Sequence, residues 1–433
     1  MAKRIKYKGE RFNEVFEEQL TAVQSMIVAM EEIGDRREVC VIEVMKAVEK
    51  WLKEVIEIVD QGKKKILWHE FLFYPEIFYG FPNVHPVMAE VLAGFLPVLD
   101  PEGLNEYVDA SENFGLPADI CPADKGMLGS VLLSALPPAD VVVAPTSPCD
   151  SAITAYQILG KLIDAPVYQC DVPYWQDSRG VDLYAHHIWK MIQTIEEACK
   201  TKMDWDLCRE AVKLANECIE GFIAENEMRK LSPCPHPGKL GFYQFMLTCL
   251  GTGTEIGRDV ARFILEDSKK LAAQKKGAVE NERARLLMYN PDPFYDLGVH
   301  DWMEDEFGAV TVLSFFGHAT QTLIDPSTPE SIVRDYAWKM MNICMARQYR
   351  GPHEFFMDDF IHVLENWNVD AVIVPALIQC KHGQATHGFV RNACRERDKP
   401  LLLVEYDPMD ARPVSIEKIH STIAEWMETQ VLV

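Results

Sequence analysis

The chain has 433 residues, 48% of them hydrophobic and 25% charged, with a formal net charge of −23. That length exceeds what one hydrophobic core organises and points to two domains or more. The negative balance argues against nucleic acid as a partner, because phosphate binding needs a basic face, and no apolar run approaches the roughly 20 residues that cross a bilayer.

The first residues are basic but no apolar stretch follows them, so they do not read as a signal peptide, and a cytoplasmic location is expected. Twelve cysteines in such a chain are expected to be mostly reduced thiols. No CxxC pair or zinc-finger spacing occurs, and Cys199, Cys208 and Cys218 fall in helical pattern as core or surface residues. Residues 12–59 carry an amphipathic helical pattern built on Phe16, Leu20, Val23 and Ile27, then Val41, Val44, Val48, Leu52 and Val55. A strand is predicted over 66–73, followed by an aromatic segment reaching Pro82 that reads equally as core or as pocket wall.

Two later stretches repeat one design. Asp140-Val-Val-Val-Ala-Pro145 leads through Cys149 to Pro166-Val-Tyr-Gln-Cys170, and Asp370-Ala-Val-Ile-Val-Pro375 leads through Cys380 to Pro400-Leu-Leu-Leu-Val404. Short β-branched runs bounded by breakers read as parallel strands covered on both faces, and the interval between them admits a crossover helix. Residues just past the carboxyl ends of such strands face the ligand crevice. Cys149 and Cys380 both fall there. Cys121 stands in a turn-rich loop before a predicted helix over 127–136, and a helix N-terminus lowers a thiol's pKa and favours a metal ligand. Between the repeats, residues 181–275 read as helices, and 251–257 as a helix–helix turn rather than a phosphate loop, because they follow a helix and lack the P-loop lysine. Strands resume at 284–289 and 309–315, with helices over 332–347, 354–367 and 416–427.

The whole reads as an α/β protein with two doubly wound, flavodoxin-like domains and parallel sheets. The expected parts are an N-terminal helical segment (1–64), a first α/β domain (65–200), a helical layer (201–278) and a second α/β domain (279–433). Three thiolates converging from separate loops hold an iron–sulfur cluster while leaving one iron without a protein ligand. Cys121, Cys149 and Cys380 are the candidates; reduced core thiols are the alternative. His382 and His387 flank Cys380 as candidate proton carriers or donors to the ligand sphere, against helix-cap or core roles. Glu405, Asp407, Asp410 and Arg412 read as a structural ion cluster.

The second repeat, its Glu405-x-Asp407-x-x-Asp410-x-Arg412 ending, and the first-repeat stretch from Pro145 through Cys149 to Tyr174 resemble the 2-hydroxyacyl-CoA dehydratase and benzoyl-CoA reductase family over about residues 65–433. The ending is similar to the larger, α-type subunit. The resemblance implies a [4Fe-4S] cluster held by Cys121, Cys149 and Cys380, a homologous second subunit, and an ATP-hydrolysing iron–sulfur activator that delivers one electron. It further implies ketyl radical chemistry on an acyl-CoA thioester, or ring reduction in the reductase branch. A related branch carries a double-cubane [8Fe-9S] cluster in a homodimer, and the additional Cys170 and Cys394 keep that branch open. Pro75-Glu76 matches the family's early Pro-Glu and makes Glu76 a catalytic candidate. The family's serine before it and second Pro-Glu after it are missing, and Glu70, His85 and Glu90 are the nearby polar substitutes.

Overall fold

A computed structural model describes residues 6–319 and 322–433. The N-terminal pattern forms two helices rather than one, Phe12–Ile33 and Val39–Gln61. The break is at Gly34, whose φ of 66° is open to glycine and costly for a side chain. Phe12, Phe16, Val23 and Ile27 on the first helix and Val41, Val44, Val48 and Leu52 on the second are all buried, so the two apolar stripes close on each other and on the body of the protein.

Two four-stranded, all-parallel sheets follow. The first contains β1 (Lys65–His69), β2 (Val84–Met88), β3 (Val141–Pro145) and β4 (Val167–Cys170) in the order β2-β1-β3-β4. The second contains β5 (Ala284–Met288), β6 (Ala309–Ser314), β7 (Ala371–Leu377) and β8 (Leu401–Tyr406) in the order β6-β5-β7-β8. This shared 2-1-3-4 order is the flavodoxin-like, doubly wound arrangement.

The duplication extends to single hydrogen bonds. Asp140 accepts from the Ile66 N–H at 2.9 Å, and Asp370 accepts from the Arg285 N–H at 2.9 Å. The same aspartates' N–H groups donate to the carbonyls of Ile66 and Arg285, both at 2.8 Å. Each aspartate thereby fixes the register of the central pair of its sheet.

Two differences from the sequence reading lie near β1. The strand stops at His69, four residues early, because the Glu70 carboxylate takes the Leu72 N–H at 2.7 Å and a 3-10 helix occupies Pro75–Gly80. β2 was hidden by Pro86, which is tolerated because β2 is an edge strand.

Helices Ser178–Cys199, Trp205–Met228, Leu240–Gly251 and Glu255–Ala273 fill the middle of the chain. Leu240–Gly251 is buried along its whole length and packs against both β2 and β6, the outer strands of the two sheets. Gly253, with φ 90°, turns the chain into the next helix, whose N-cap Thr254 accepts from the Gly257 N–H; residues 251–257 are a helix–helix turn. Among the described residues no helix is long and apolar enough to cross a membrane.

Candidate functional site

Three loops at the carboxyl ends of the strands meet between the two sheets. Cys149 follows β3 and is the N-cap of helix Asp150–Leu162. Cys380 follows β7, begins the short helix Lys381–Ala385, and its Sγ accepts from the Gly383 N–H at 3.3 Å. Cys121 is the N-cap of helix Pro122–Leu132, and its N–H donates to Ser151 Oγ at 3.3 Å, which ties its loop to the Cys149 helix. Of the twelve cysteines, nine are buried and only these three are half-exposed. That pattern separates them from the core thiols better than sequence position does.

They form a shared wall between two cavities. The inner one, about 870 Å3, is lined mainly by apolar groups, including Phe71, Phe245, Phe294 and Phe316. Among the described residues, Glu90 and Asp124 are the charged side chains that line it. The outer one, about 1270 Å3, opens past Asp119, Tyr349, Lys381 and His382. Besides the three cysteines, Pro148, Met345 and Gln379 belong to both. Met345 has φ 70° and ψ −47°, a conformation rarely adopted outside glycine, and the Ala346 N–H donates to the Cys344 carbonyl across it at 2.9 Å. This γ-turn stores backbone strain at the partition, where functional sites tend to keep it. Tyr349 is held from behind by Asn290, which donates to the Pro375 carbonyl at 2.7 Å.

The electrostatics correct one expectation. All three thiols lie above the ordinary range, because burial penalises a thiolate more than the helix N-termini favour it. For Cys121 and Cys149 the neighbouring Asp124 carboxylate adds to the rise. The backbone N–H groups of Ala123, Ala152 and Gly383 pull the other way and lose. The free thiols are therefore protonated, and a metal bound there must displace their protons.

The inner cavity carries the opposite chemistry. Burial pushes Asp124 up to about 6, although the Ser151 hydroxyl bonds its charged form. Burial likewise pushes Glu90 up to about 8, against the hydrogen bond from Tyr156. The other Glu90 oxygen, Oε2, is buried without a hydrogen-bond partner. Glu70 lies directly behind, also raised by burial and by Glu90, but it does not line the cavity.

The remaining candidates divide. His382 lines the outer cavity, its ring centroid 6.4 Å from that of Tyr349. His387 lines neither cavity; burial lowers its pKa, which keeps the ring neutral. Glu76 is fully buried in an ion pair with Lys339 Nζ at 2.6 Å and lines neither cavity. Its geometry is that of a link between the first sheet's loops and helix Pro329–Asn342. Cys170 is buried at the end of β4 and Cys394 is buried in helix His387–Arg395, and neither reaches the cysteine wall. Arg412 pairs with Asp410 at 2.6 Å and with Asp109 at 2.8 Å, while Asp407 accepts from the Met409 and Asp410 N–H groups, so of the ion cluster read from the sequence the Asp410–Arg412 pair is the part present. Asp124, Met345 and Gln379 were not singled out in the sequence. Only Asp124 left a signal there, as a carboxylate three residues beyond Cys121.

The family model for 2-hydroxyglutaryl-CoA dehydratase, D-component, matches residues 86–430. The chain belongs to that family. The D-component match takes in both sheets' cysteine loops and begins inside β2, so β1, Pro75-Glu76 and the N-terminal helices lie outside it. No curated protein matches the chain. The wall of cysteines and the acid-lined inner cavity are thus built largely from the D-component part of the molecule, with Phe71 added from the segment before it.

Proposed function

We propose that this D-component chain is a dehydratase subunit in which Cys121, Cys149 and Cys380 hold a [4Fe-4S] cluster and the inner cavity receives the acyl group of a 2-hydroxyacyl-CoA thioester. The observation that carries the reading is the shared wall: the three half-exposed thiols are soft donors from three loops, with an aromatic-lined cavity on one side and a cavity carrying Asp119, Lys381 and His382 on the other. Such a donor set suits a cluster with three protein ligands. Bound there, the cluster supplies an electron at a potential reaching roughly −700 mV and a Lewis-acid position at the iron without a protein ligand.

The chain's own residues do the rest. Phe71, Phe245, Phe294 and Phe316 exclude water from the acyl group and so protect a ketyl radical anion from quenching by solvent protons. Glu90, neutral at pH 7 because its pKa lies near 8, gives its Oε2 proton to the departing hydroxyl, which leaves as water. Asp124, with a pKa near 6, is ionised at pH 7 and its charge helps to keep the neighbouring Glu90 protonated. His382 and Lys381 offer cationic or donor groups at the outer mouth. The proposed partners are a homologous second subunit, or a second copy, and an ATP-dependent iron–sulfur activator facing the outer cavity. The larger double-cubane cluster receives no further thiol at this wall, since Cys170 and Cys394 are packed elsewhere.

Anaerobic purification with iron and sulfide analysis and EPR tests this reading. The native chain is expected to carry about four irons. Cys121→Ala, Cys149→Ala and Cys380→Ala each lose or alter the cluster signal, while Cys208→Ala, in a buried helix, leaves it unchanged. A colourless native protein, or a signal indifferent to the three wall substitutions, overturns it.

A further inference from the structure

Away from the cysteine wall, a second cluster joins three helical parts of the chain. Cys40 lies in the first turn of helix Val39–Gln61, His236 in the connection between Trp205–Met228 and Leu240–Gly251, and Asp267 in Glu255–Ala273. Among the described residues, these are the one group of three or more Cys, His, Asp or Glu side chains whose ligand atoms all lie within 4.8 Å of one another. The wall cysteines are not such a group.

The three atoms are spaced as ligands of one tetrahedral ion. Cys40 Sγ is 3.6 Å from His236 Nε2 and 3.8 Å from Asp267 Oδ2, and the latter two are 3.2 Å apart. With Zn–S near 2.3 Å and Zn–N and Zn–O near 2.1 Å, the edges of a tetrahedron come to about 3.6 Å for S–N and S–O and about 3.4 Å for N–O. The surrounding groups also match what metal-binding histidines require. His236 Nδ1 lies 3.0 Å from Glu225 Oε1, which fixes the tautomer with Nε2 turned to the other two ligands. Glu225 is itself held by Arg229 at 2.8 Å and Gln244 at 3.1 Å, all within the core. A thiolate, a carboxylate and a neutral imidazole balance a divalent cation and Glu225 and Arg229 cancel each other, which leaves the Arg36 guanidinium beside Asp267 as one positive charge at the rim. Access is from the Asp267 side, where that side chain is 15% exposed and Arg36 approaches it at 3.5 Å.

We propose that Cys40, His236 and Asp267 form a structural site for a zinc-class divalent cation, fastening the N-terminal helix pair to the helical layer. Cys40 lies outside the family match and the other two ligands lie within it. The ion therefore pins a segment that precedes the family match onto the matched body.

The test uses the full chain carrying Cys121→Ala, Cys149→Ala and Cys380→Ala, so that the wall thiols do not contribute, titrated anaerobically with Co2+ and then Zn2+. One Co2+ per chain is expected to bind with the intense visible bands of a tetrahedral thiolate complex, and Zn2+ displaces it. Cys40→Ser removes the thiolate band, Asp267→Asn weakens binding at least tenfold, and Glu225→Gln weakens it 10- to 100-fold through the orientation of His236. Zn2+ raises the melting temperature of the parent and not that of Asp267→Asn. The parent and Asp267→Asn binding Co2+ alike, or the parent giving no tetrahedral spectrum, overturns the proposal and leaves the trio a hydrogen-bonded cluster only. Iron in the unsubstituted chain is read separately, so failure here does not bear on the wall cysteines.

Discussion

The two repeated halves share a scaffold and differ in what they hang on it. In each, an aspartate before the third strand clamps the first strand, a proline-bearing strand leads to a half-exposed cysteine, and a helix returns the chain to a fourth parallel strand. The first half adds helix Pro122–Leu132 with Cys121 and Asp124, and Glu90 beyond β2. The second half contributes only uncharged groups to the inner cavity, among them Pro291, Phe294, Leu377 and Met409. Its helix after the cysteine is split, Lys381–Ala385 and His387–Arg395, where the first half has the single helix Asp150–Leu162. The register sets Cys170, opposite Pro145, against Val404, opposite Pro375. One buried thiol is thus matched by a plain core residue, so it is packing. Duplication accounts for two thiols and the crevice; the third thiol and the acids come from the half that diverged.

The asymmetry is broken most severely at Glu90. Glu90→Gln keeps shape but removes the acid, and turnover is expected to fall about 10²- to 10⁴-fold with iron content unchanged. Gln379→Leu, a second-half change at the same cavity wall, is expected to lower turnover far less, and equal losses would dissolve the contrast. The link between the halves comes next. Lys339→Met leaves Glu76 as a buried charge without its partner and is expected to cost about 3–5 kcal/mol, read as a lower urea midpoint, without loss of the cluster EPR signal. Loss of the signal with stability retained would return Glu76 to the active site.

Glu90 also writes a pH signature. Its folded pKa, about 8, is raised from 4.5 by burial, so its share of stability is full below about pH 4.5 and is lost as pH rises through about 8. The melting temperature of Glu90→Gln is therefore expected to gain on that of the native chain between pH 5 and pH 8. A constant difference across that range would contradict the burial argument. The smallest effect probes the shared scaffold. Asp140→Asn and Asp370→Asn each weaken a charge-assisted bond to a strand N–H and should each cost roughly 1 kcal/mol, with Asp140→Asn also losing the half-exposed ion pair to Lys65; a cost confined to Asp370→Asn would show that the sheets are not energetically equivalent.

Much of this was legible in the residue order, for local reasons. β-branched runs such as Val141 to Val143 and Val372 to Val374 declare strands, and a cysteine just past such a run declares the crevice. What was hidden depends on distant partners. Glu76 looked catalytic beside Pro75 because its partner, Lys339, is 263 residues away. The thiols' raised pKa reflects burial by both halves, which outweighs the local helix ends that the sequence does reveal. The raised pKa of Glu90, on which its proposed role rests, comes from burial and then from Asp124, 34 residues further along the chain. β2 was masked by Pro86 inside it, which its edge position tolerates.

The most direct measurement is an anaerobic crystal structure with anomalous scattering at the iron edge. The account predicts an iron peak in the partition between the two cavities, in contact with Cys121, Cys149 and Cys380 and with no protein ligand on one iron. Iron bound elsewhere, or density joining only two of those sulfurs, would contradict it.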